Sequence, residues 1–462
     1  MKSYCSKYLL FLILLLTLSI SGCGEEEQIK VTDTRFSMDT FVKIDVYSDK
    51  PGAARLAIDD AMQTFQNIAQ VTDRFNDGGP GSLYEANSKA AAAPITLAPQ
   101  LAELLNYLDR QPDAQLDIAI APTVDLWQLA RSQNRLPAPE KLQESLRHTG
   151  KAKYHFDAAA QTLSYNDPAV KLDLGSVAKG YAVDAAAATL KKHSGITCAL
   201  INAGGNIKAI GNKPGNMPWR VAIQHPRDPE AFLGTVMLHD GQSAATSGDY
   251  QRYYELNGVR YHHILDPQTG QPSRLHQSVT VIAPSALDAD YHSTLFFLLP
   301  TTEIKNRLTA AKDLAAVIVE NDGSIFISEN LQQTWQRNMI MRRNDYLLCL
   351  VIITAALCGF WYSGSSAADS NAVVRITRHH ELILQQTLQD FPDHYLLPTE
   401  HGSLTITKAN SSLRVSEAPC PDKLCEKQGP ITGSGSIVCI PEGVIIEIIT
   451  SEEGDSPDAL LH

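Results

Sequence analysis

One uninterrupted run of 18 uncharged residues, Tyr346–Ser363 (YLLCLVIITAALCGFWYS), divides the chain into a long part and a short one. That length is just enough for a helix to cross a bilayer, and Trp361 and Tyr362 at one end suit the membrane interface. The expectation is one transmembrane helix over 346–363, with a buried core helix as the alternative. A second apolar stretch opens the sequence. Lys2 and Lys7 precede an apolar core over residues 9–20, and Ile20-Ser21-Gly22-Cys23 follows, the pattern of an export signal over residues 1–22.

The tetrapeptide is similar to the lipobox of bacterial lipoproteins. That resemblance implies lipidation of Cys23 and a lipid-anchored protein of the bacterial envelope, with its long part on the extracytoplasmic side; a plain secretory signal is the alternative. Charge and cysteines fit export. The net charge of −12 argues against a nucleic-acid partner, which needs clustered Lys and Arg. Of eight cysteines, only Cys198 lies in the long middle region, while Cys420, Cys425 and Cys439 cluster in the tail. The charges around 346–363 conflict with this topology. Arg337, Arg342 and Arg343 precede the run and no Lys or Arg follows until Arg375, which places residue 343 on the cytoplasmic side. MIMRRNDYLLCLVI reads as the start of a second exported protein, so the chain has the look of two neighbouring genes fused.

Between the apolar runs, strand-like and helix-like stretches mix without regular βαβ repetition. FVKIDVYS (41–48) alternates as a strand after a tether, and helical spacing follows over Ala53–Thr72, Pro99–Arg110 and Leu126–Arg131. YHFDAAAQTLSYND reads as a hairpin, and CALIN, WRVAIQ, GTVML, SVTVIA, AAVIVE and SIFIS read as strands, with Asp288–Leu299 helical. The fold class expected is α+β, or mixed α/β, over residues 30–335. Residues 373–450 read as a small all-β domain, and the last residues, SEEGDSPDALLH, as disordered.

Several polar clusters fall in the long domain. LDLGSVAKGYAVD (172–184) reads as a short strand, a glycine and a helix, a turn that commonly holds phosphate, yet it carries Asp173 as well as Lys179. INAGGNIKAIG pairs Gly204 with Gly205 after a strand, which lets backbone amides approach a ligand. On the 288–299 helix Asp290 and Thr294 stand at i and i+4, so a carboxylate and a hydroxyl share one face. Both are hard oxygen donors of the kind Mg²⁺ accepts. Glycine turns, a lysine, a histidine and an oxygen-only metal pair are the parts needed for attack on a pyrophosphate. Each has a plain structural reading by itself: a turn, a surface His pair, a helix cap.

These segments, in this order, resemble the ApbE family of FAD:protein FMN transferases. The resemblance rests on Met38-Asp39-Thr40, GSLYEAN (81–87), LDIAIAPTVDLW (116–127), DLGSVAKGYAVD, NAGGNI, IQHPR (223–227), ATSGDY (245–250), HHILDPQTGQP (262–272) and DADYHST (288–294). It implies an Mg²⁺-dependent enzyme that cleaves FAD, releases AMP and joins FMN through a phosphoester to a threonine of another protein. By the same resemblance Asp290, Thr294 and the main-chain carbonyls of Ser176 and Ser293 would ligate the metal. Met38, Asp117, Asp173, Lys179, Gly204, Gly205 and Ile264 would line the FAD site, and His263 would be the catalytic histidine beside flavin and phosphate. Acceptors would carry a Ser/Thr-Gly-Ala-Thr site, as in subunits of Na⁺-pumping quinone reductase or Rnf-type complexes. Departures from the family occur at Gly81, often serine, at Ser176, usually glycine or alanine, and in the Phe75–Asn76 region, which separates transfer from hydrolysis in some members. Two other functions therefore stay open, an FAD pyrophosphatase giving FMN and AMP, and a non-catalytic flavin-binding lipoprotein.

The tail, VSEAPCPDKLCEKQGPITGSGSIVCIPEGVIIEI (415–448), resembles the exported small β domain called NusG domain II-like. Its cysteines leave three readings: a Cys420–Cys425 disulfide, plain thiols, or a metal site completed by His379 or His401.

Overall fold

The computed structural model describes residues 28–337, 372–449 and 459–461, apart from 112, 114, 333–334, 379–380, 400, 410, 421–422, 433–434 and 440. The expected signal over 1–22, Cys23 and the 346–363 span lie outside the described residues. Among the described residues no helix is long and apolar enough to cross a membrane. The chain forms two compact units: one holds the residues up to 338 together with 457–462, the other residues 339–456.

The larger unit is built on an eight-stranded sheet: β1 Ile29–Ser37, β2 Thr40–Ser48, β3 Cys198–Ala203, β4 Asn206–Ile210, β5 Ser243–Gly248, β6 His276–Ala283, β7 Ala315–Glu320 and β8 Ile325–Ile327. These strands lie side by side in chain order, and every neighbouring pair is antiparallel. Eight helices interrupt the meander: α1 Pro51–Thr72, α2 Leu83–Lys89, α3 Pro99–Asp109, α4 Ala121–Ser132, α5 Pro139–Leu146, α6 Ala178–Lys192, α7 Ala286–Phe297 and α8 Thr301–Ala310. Strand alternation sorts the core into two layers. Val42, Ile44 and Val46 of β2 and Ala199 and Ile201 of β3 pack with Ile58 and Phe65 of α1, Val183 of α6 and Phe296 of α7. Tyr47, Cys198 and Leu200 face the other way, toward Trp219, Val221 and Val236 of a four-stranded sheet made by Trp219–His225, Asp228–Leu238, Gln336–Arg337 and Ala459–Leu461. Both faces of the main sheet are therefore covered, which is why β6 is buried along its whole length.

The α+β expectation holds, and the structure corrects it in three places. Residues 29–37, not read as a strand, form the edge strand β1, in which only Val31 is buried, so its alternation is hidden. Leu172–Leu174 is not a strand: Asn87 takes the place of a ladder partner, accepting from Leu172 N at 2.8 Å and donating to Leu172 O at 2.9 Å. Within the tail read as disordered, Ala459–Leu461 pairs in parallel with Val221–Ile223.

The smaller unit is all-β, as expected. Glu381–Thr387, Val373–Arg378, Val444–Ile449 and Ser436–Cys439 form one four-stranded sheet, and His394–Thr399, Gly402–Ala409, Ser412–Glu417 and Ile431–Thr432 form another. They enclose a core of Val374, Ile376, Leu404, Ile406 and Ile446 with the three cysteines. Cys420 and Cys425 hold their sulfurs 3.5 Å apart as free thiols. Cys439 shares the same cluster.

Candidate active site

Two hairpin turns lie side by side at one end of the main sheet. Met38 and Asp39 connect β1 to β2 with φ of 51° and 58°, and Gly204 and Gly205 connect β3 to β4 with φ of 56° and 87°. Because β2 pairs with β3, the turns touch: a Cβ on Gly204 would stand 2.1 Å from Thr40 Oγ1, so only glycine fits there. Two successive non-glycine residues in the left-handed region are costly and mark a constrained turn. The Arg252 guanidinium stands 3.7 Å from the Asp39 carboxylate.

The second wall is the junction of α6 and α7. The first backbone bond of α6 runs from Tyr181 N to Val177 O, leaving the Gly180 N–H without a helical partner. Asp290 of α7 takes it, with Oδ2 at 2.9 Å. In return Asp184 of α6 accepts from Ala286 N and Leu287 N at the start of α7, at 3.0 and 2.9 Å. Each helix thus caps the other with a carboxylate, which suits both positive N-terminal ends. The pair lies so close that a Cβ on Gly180 would meet Ala286 O at 2.3 Å and the Asp290 Cβ at 2.7 Å.

Around Asp290 the donors are oxygen atoms. Ser247 of β5 places its hydroxyl 3.0 Å from Ser293 Oγ and 3.1 Å from Thr294 Oγ1, and Ser293 Oγ donates to Asp290 O at 2.9 Å. Burial raises the Asp290 carboxyl above its ordinary value, opposed by the Lys179 charge, the Gly180 N–H and the nearby Asn206 amide. Asn206 is buried, with its side-chain amide directed at the Asp290 carboxylate. Desolvation by the surrounding protein, which comes first, and the charges of Arg252 and Lys179 lower the His263 pKa below its ordinary value, although the residue is exposed. Its imidazole is neutral at pH 7. His263 Nδ1 lies 3.3 Å from Arg252 O, which also accepts from His263 N at 3.1 Å. His262 is a packing residue: it is buried, with Nε2 2.7 Å from Ser273 O and Nδ1 accepting from Ile264 N. Burial lowers its pKa as well.

Met38, Gly204, Gly205, Lys179, His263, Ile264, Asp290, Ser293 and Thr294 are thus linked by this chain of contacts, with Ser176 in the turn just before α6. Asp173 and Asp117 already have protein partners. Asp173 accepts from Gly175 N at 2.8 Å and pairs with Arg74 Nε at 2.8 Å. Asp117 accepts from Ala119 N at 2.9 Å and Gly150 N at 2.7 Å, with burial raising its pKa. Their carboxylates therefore brace loops in this structure. Arg74 went unnoticed in the sequence because nothing marks one arginine at a helix end. Its side chain is 7% exposed, pairs with Asp125 at 2.7 Å and Asp173 at 2.8 Å, and lies 4.1 Å over the exposed Phe75 ring. Ser247, Asn206 and Arg252 were also missed, although the first two sit inside motifs recognised for their neighbours.

The family pattern described as ApbE family matches residues 38–318, a span that takes in every element of this site. The chain belongs to the ApbE family. The pattern described as NusG domain II matches residues 347–452. Among curated relatives, the FAD:protein FMN transferase of Treponema pallidum is 29% identical over 318 residues, covering 65% of this chain and 87% of its own. That of Klebsiella pneumoniae is 31% identical over 274 residues, covering 58% and 84%. Of solved structures, the ApbE protein of Thermotoga maritima superposes with a TM-score of 0.59 at 28% identity, covering 67% of this chain and all of that one. The Pseudomonas stutzeri flavinyl transferase ApbE, apo form, gives 0.56 at 28% identity, covering 65% and 94%.

Proposed function

We propose that this chain is an FAD:protein FMN transferase: it cleaves the FAD pyrophosphate, releases AMP and attaches FMN by a phosphoester to a threonine of an exported or membrane flavoprotein. The single observation that carries the reading is the α6–α7 junction, where Gly180, Asp290, Ser293 and Thr294 gather oxygen donors beside Lys179 and His263 within a family of flavin transferases. A threonine hydroxyl is a poor nucleophile, so catalysis must rest on positioning and on neutralising phosphate charge.

The residues fit Mg²⁺. The donors are a carboxylate, a hydroxyl and main-chain carbonyls, all hard, and Asp290 has one oxygen held by Gly180 while the other has no backbone partner. Asp290, Thr294 and the carbonyls of Ser176 and Ser293 would hold the ion. When bound, it neutralises diphosphate charge and stabilises the leaving phosphate. Lys179 supplies a fixed cation on the same side. The Gly204-Gly205 and Met38-Asp39 turns present backbone to FAD, and neutral His263 offers a hydrogen bond without adding charge. The buried Asn206 amide is placed to donate to Asp290. In the transfer step the threonine oxygen bonds to the FMN phosphorus, the bond to the AMP oxygen breaks, and the hydroxyl proton leaves to solvent or buffer.

Lipidation at Cys23 and an extracytoplasmic site belong to the same proposal and rest on the N-terminal sequence. Acceptors with a Ser/Thr-Gly-Ala-Thr site, such as Na⁺-pumping quinone reductase or Rnf-type subunits, belong to it too and rest on the family resemblance. The test is incubation of the purified chain with FAD, Mg²⁺ and an acceptor carrying that site, followed by mass spectrometry of the acceptor threonine. An FMN adduct on that threonine supports transfer. Free FMN and AMP with a bare acceptor would establish a pyrophosphatase instead, and intact FAD would leave only binding.

A further inference from the structure

In the all-β unit, Cys420 and Cys425, five residues apart, converge with Cys439. Cys420 follows the strand Ser412–Glu417, Cys425 sits on the short helix Leu424–Lys427, and Cys439 ends the strand Ser436–Cys439. Their sulfurs all lie within 4.8 Å of one another, and the residues are only 1–2% exposed. Three buried thiols brought together from three elements are more than packing requires, since Val or Ala would fill the same volume without polar hydrogens.

Two further observations bear on what they hold. The backbone N–H groups of Glu426 and Glu442 favour negative charge on the sulfurs of Cys425 and Cys439. Such donors stabilise negative sulfur and are the usual outer support of a thiolate ligand. No His, Asp or Glu joins the group among the described residues, and His401 is engaged elsewhere, with Nδ1 3.1 Å from Glu442 Oε1. Structural zinc sites take four protein ligands, whereas soft thiolates in smaller number suit monovalent copper.

We propose that Cys420, Cys425 and Cys439 form a buried three-thiolate site for a soft cation, Cu(I). Each ligating sulfur gives up its proton as the cation enters, and no electron is transferred. The Glu426 and Glu442 N–H groups offset the negative charge left over. Thiols must deprotonate to ligate, so metal uptake releases protons. The site is independent of the flavin chemistry.

The experiment uses the full chain, reduced and metal-free, titrated anaerobically with Cu(I) against a chromogenic Cu(I) chelator, with Zn²⁺ in a parallel arm. The expected result is one Cu(I) held per chain, proton release on binding, and a raised melting temperature. Cys439→Ser is expected to weaken retention at least tenfold, while Cys198→Ser leaves it unchanged. Circular dichroism of Cys439→Ser establishes that the variant folds; should it not, Cys425→Ser and the wild-type proton release carry the same reading. Loss of all Cu(I) to the chelator, equal retention by the cysteine variants, or preferential Zn²⁺ uptake would overturn the assignment. So would a quantitative Cys420–Cys425 disulfide in protein alkylated directly as isolated from cells.

Discussion

Asp290 shows how one side chain serves fold and chemistry together. Its Oδ2 caps α6 through the Gly180 N–H; burial raises its carboxyl pKa, while the Lys179 charge and the Gly180 N–H oppose that shift and favour the carboxylate a metal would need. Asp290→Asn retains the shape and can still accept from Gly180, so the variant is expected to fold and to lose at least about 100-fold in transfer rate. A fully active variant would remove Asp290 from the metal site. His263 gives a second prediction with a definite sign. Its pKa lies far below the ordinary value of about 6.5, so between pH 5.5 and 7.5 its charge does not change. The kcat/KM profile should carry no limb near pH 6.5 assignable to His263, and His263→Gln should scale the profile without changing its form. At this scale the sequence revealed the residues whose chemistry is unusual for their place, such as the Asp290–Thr294 pair and the histidine doublet. It hid Arg74 and Asn206, whose significance comes from burial and from partners far along the chain. Asp117 and Asp173 illustrate the converse. Both stand in recognisable motifs, yet their carboxylates are taken up by backbone and by Arg74.

Among the elements, the reciprocal caps of α6 and α7 make the helix pair a rigid frame for the site. Gly180 is the contact that sets their spacing. Gly180→Ala puts a methyl against Ala286 O and Asp290 and is expected to destabilise by about 1–3 kcal/mol. It should also cut activity well beyond what its loss of stability explains, measured as kcat on protein shown to be folded by its melting curve. Unchanged stability would mean that the helices separate at no cost. Gly81 is explained at this scale too. Its φ is 76°, and a Cβ would lie 2.4 Å from Ala98 N, so glycine is enforced by the local backbone. Strand periodicity made most of the sheet legible. It failed at β1, whose edge position leaves side chains exposed, and at Leu172–Leu174, where an asparagine replaces a neighbouring strand.

For the whole molecule, the main sheet is a meander in chain order, covered on one face by helices and on the other by a smaller sheet. Composition and pattern pointed to α+β but not to this order, because pairing between β2 and β3 spans some 150 residues that no local signal connects. The C-terminal strand Ala459–Leu461 lies against Val221–Ile223 and covers what would otherwise be an open strand edge. Deleting residues 457–462 is expected to speed hydrogen exchange at residues 219–225 and to leave transfer activity intact. Unchanged exchange would show that the strand is not docked in solution.

The central claim is that FAD is split with its FMN half delivered to a threonine. It is tested most directly by counting AMP released against flavin bound to an acceptor bearing a Ser-Gly-Ala-Thr site. Equal amounts, Mg²⁺ dependence, and no flavin on the acceptor's Thr→Ala variant are the predicted result. AMP accompanied only by free FMN, or FAD left whole, would contradict it.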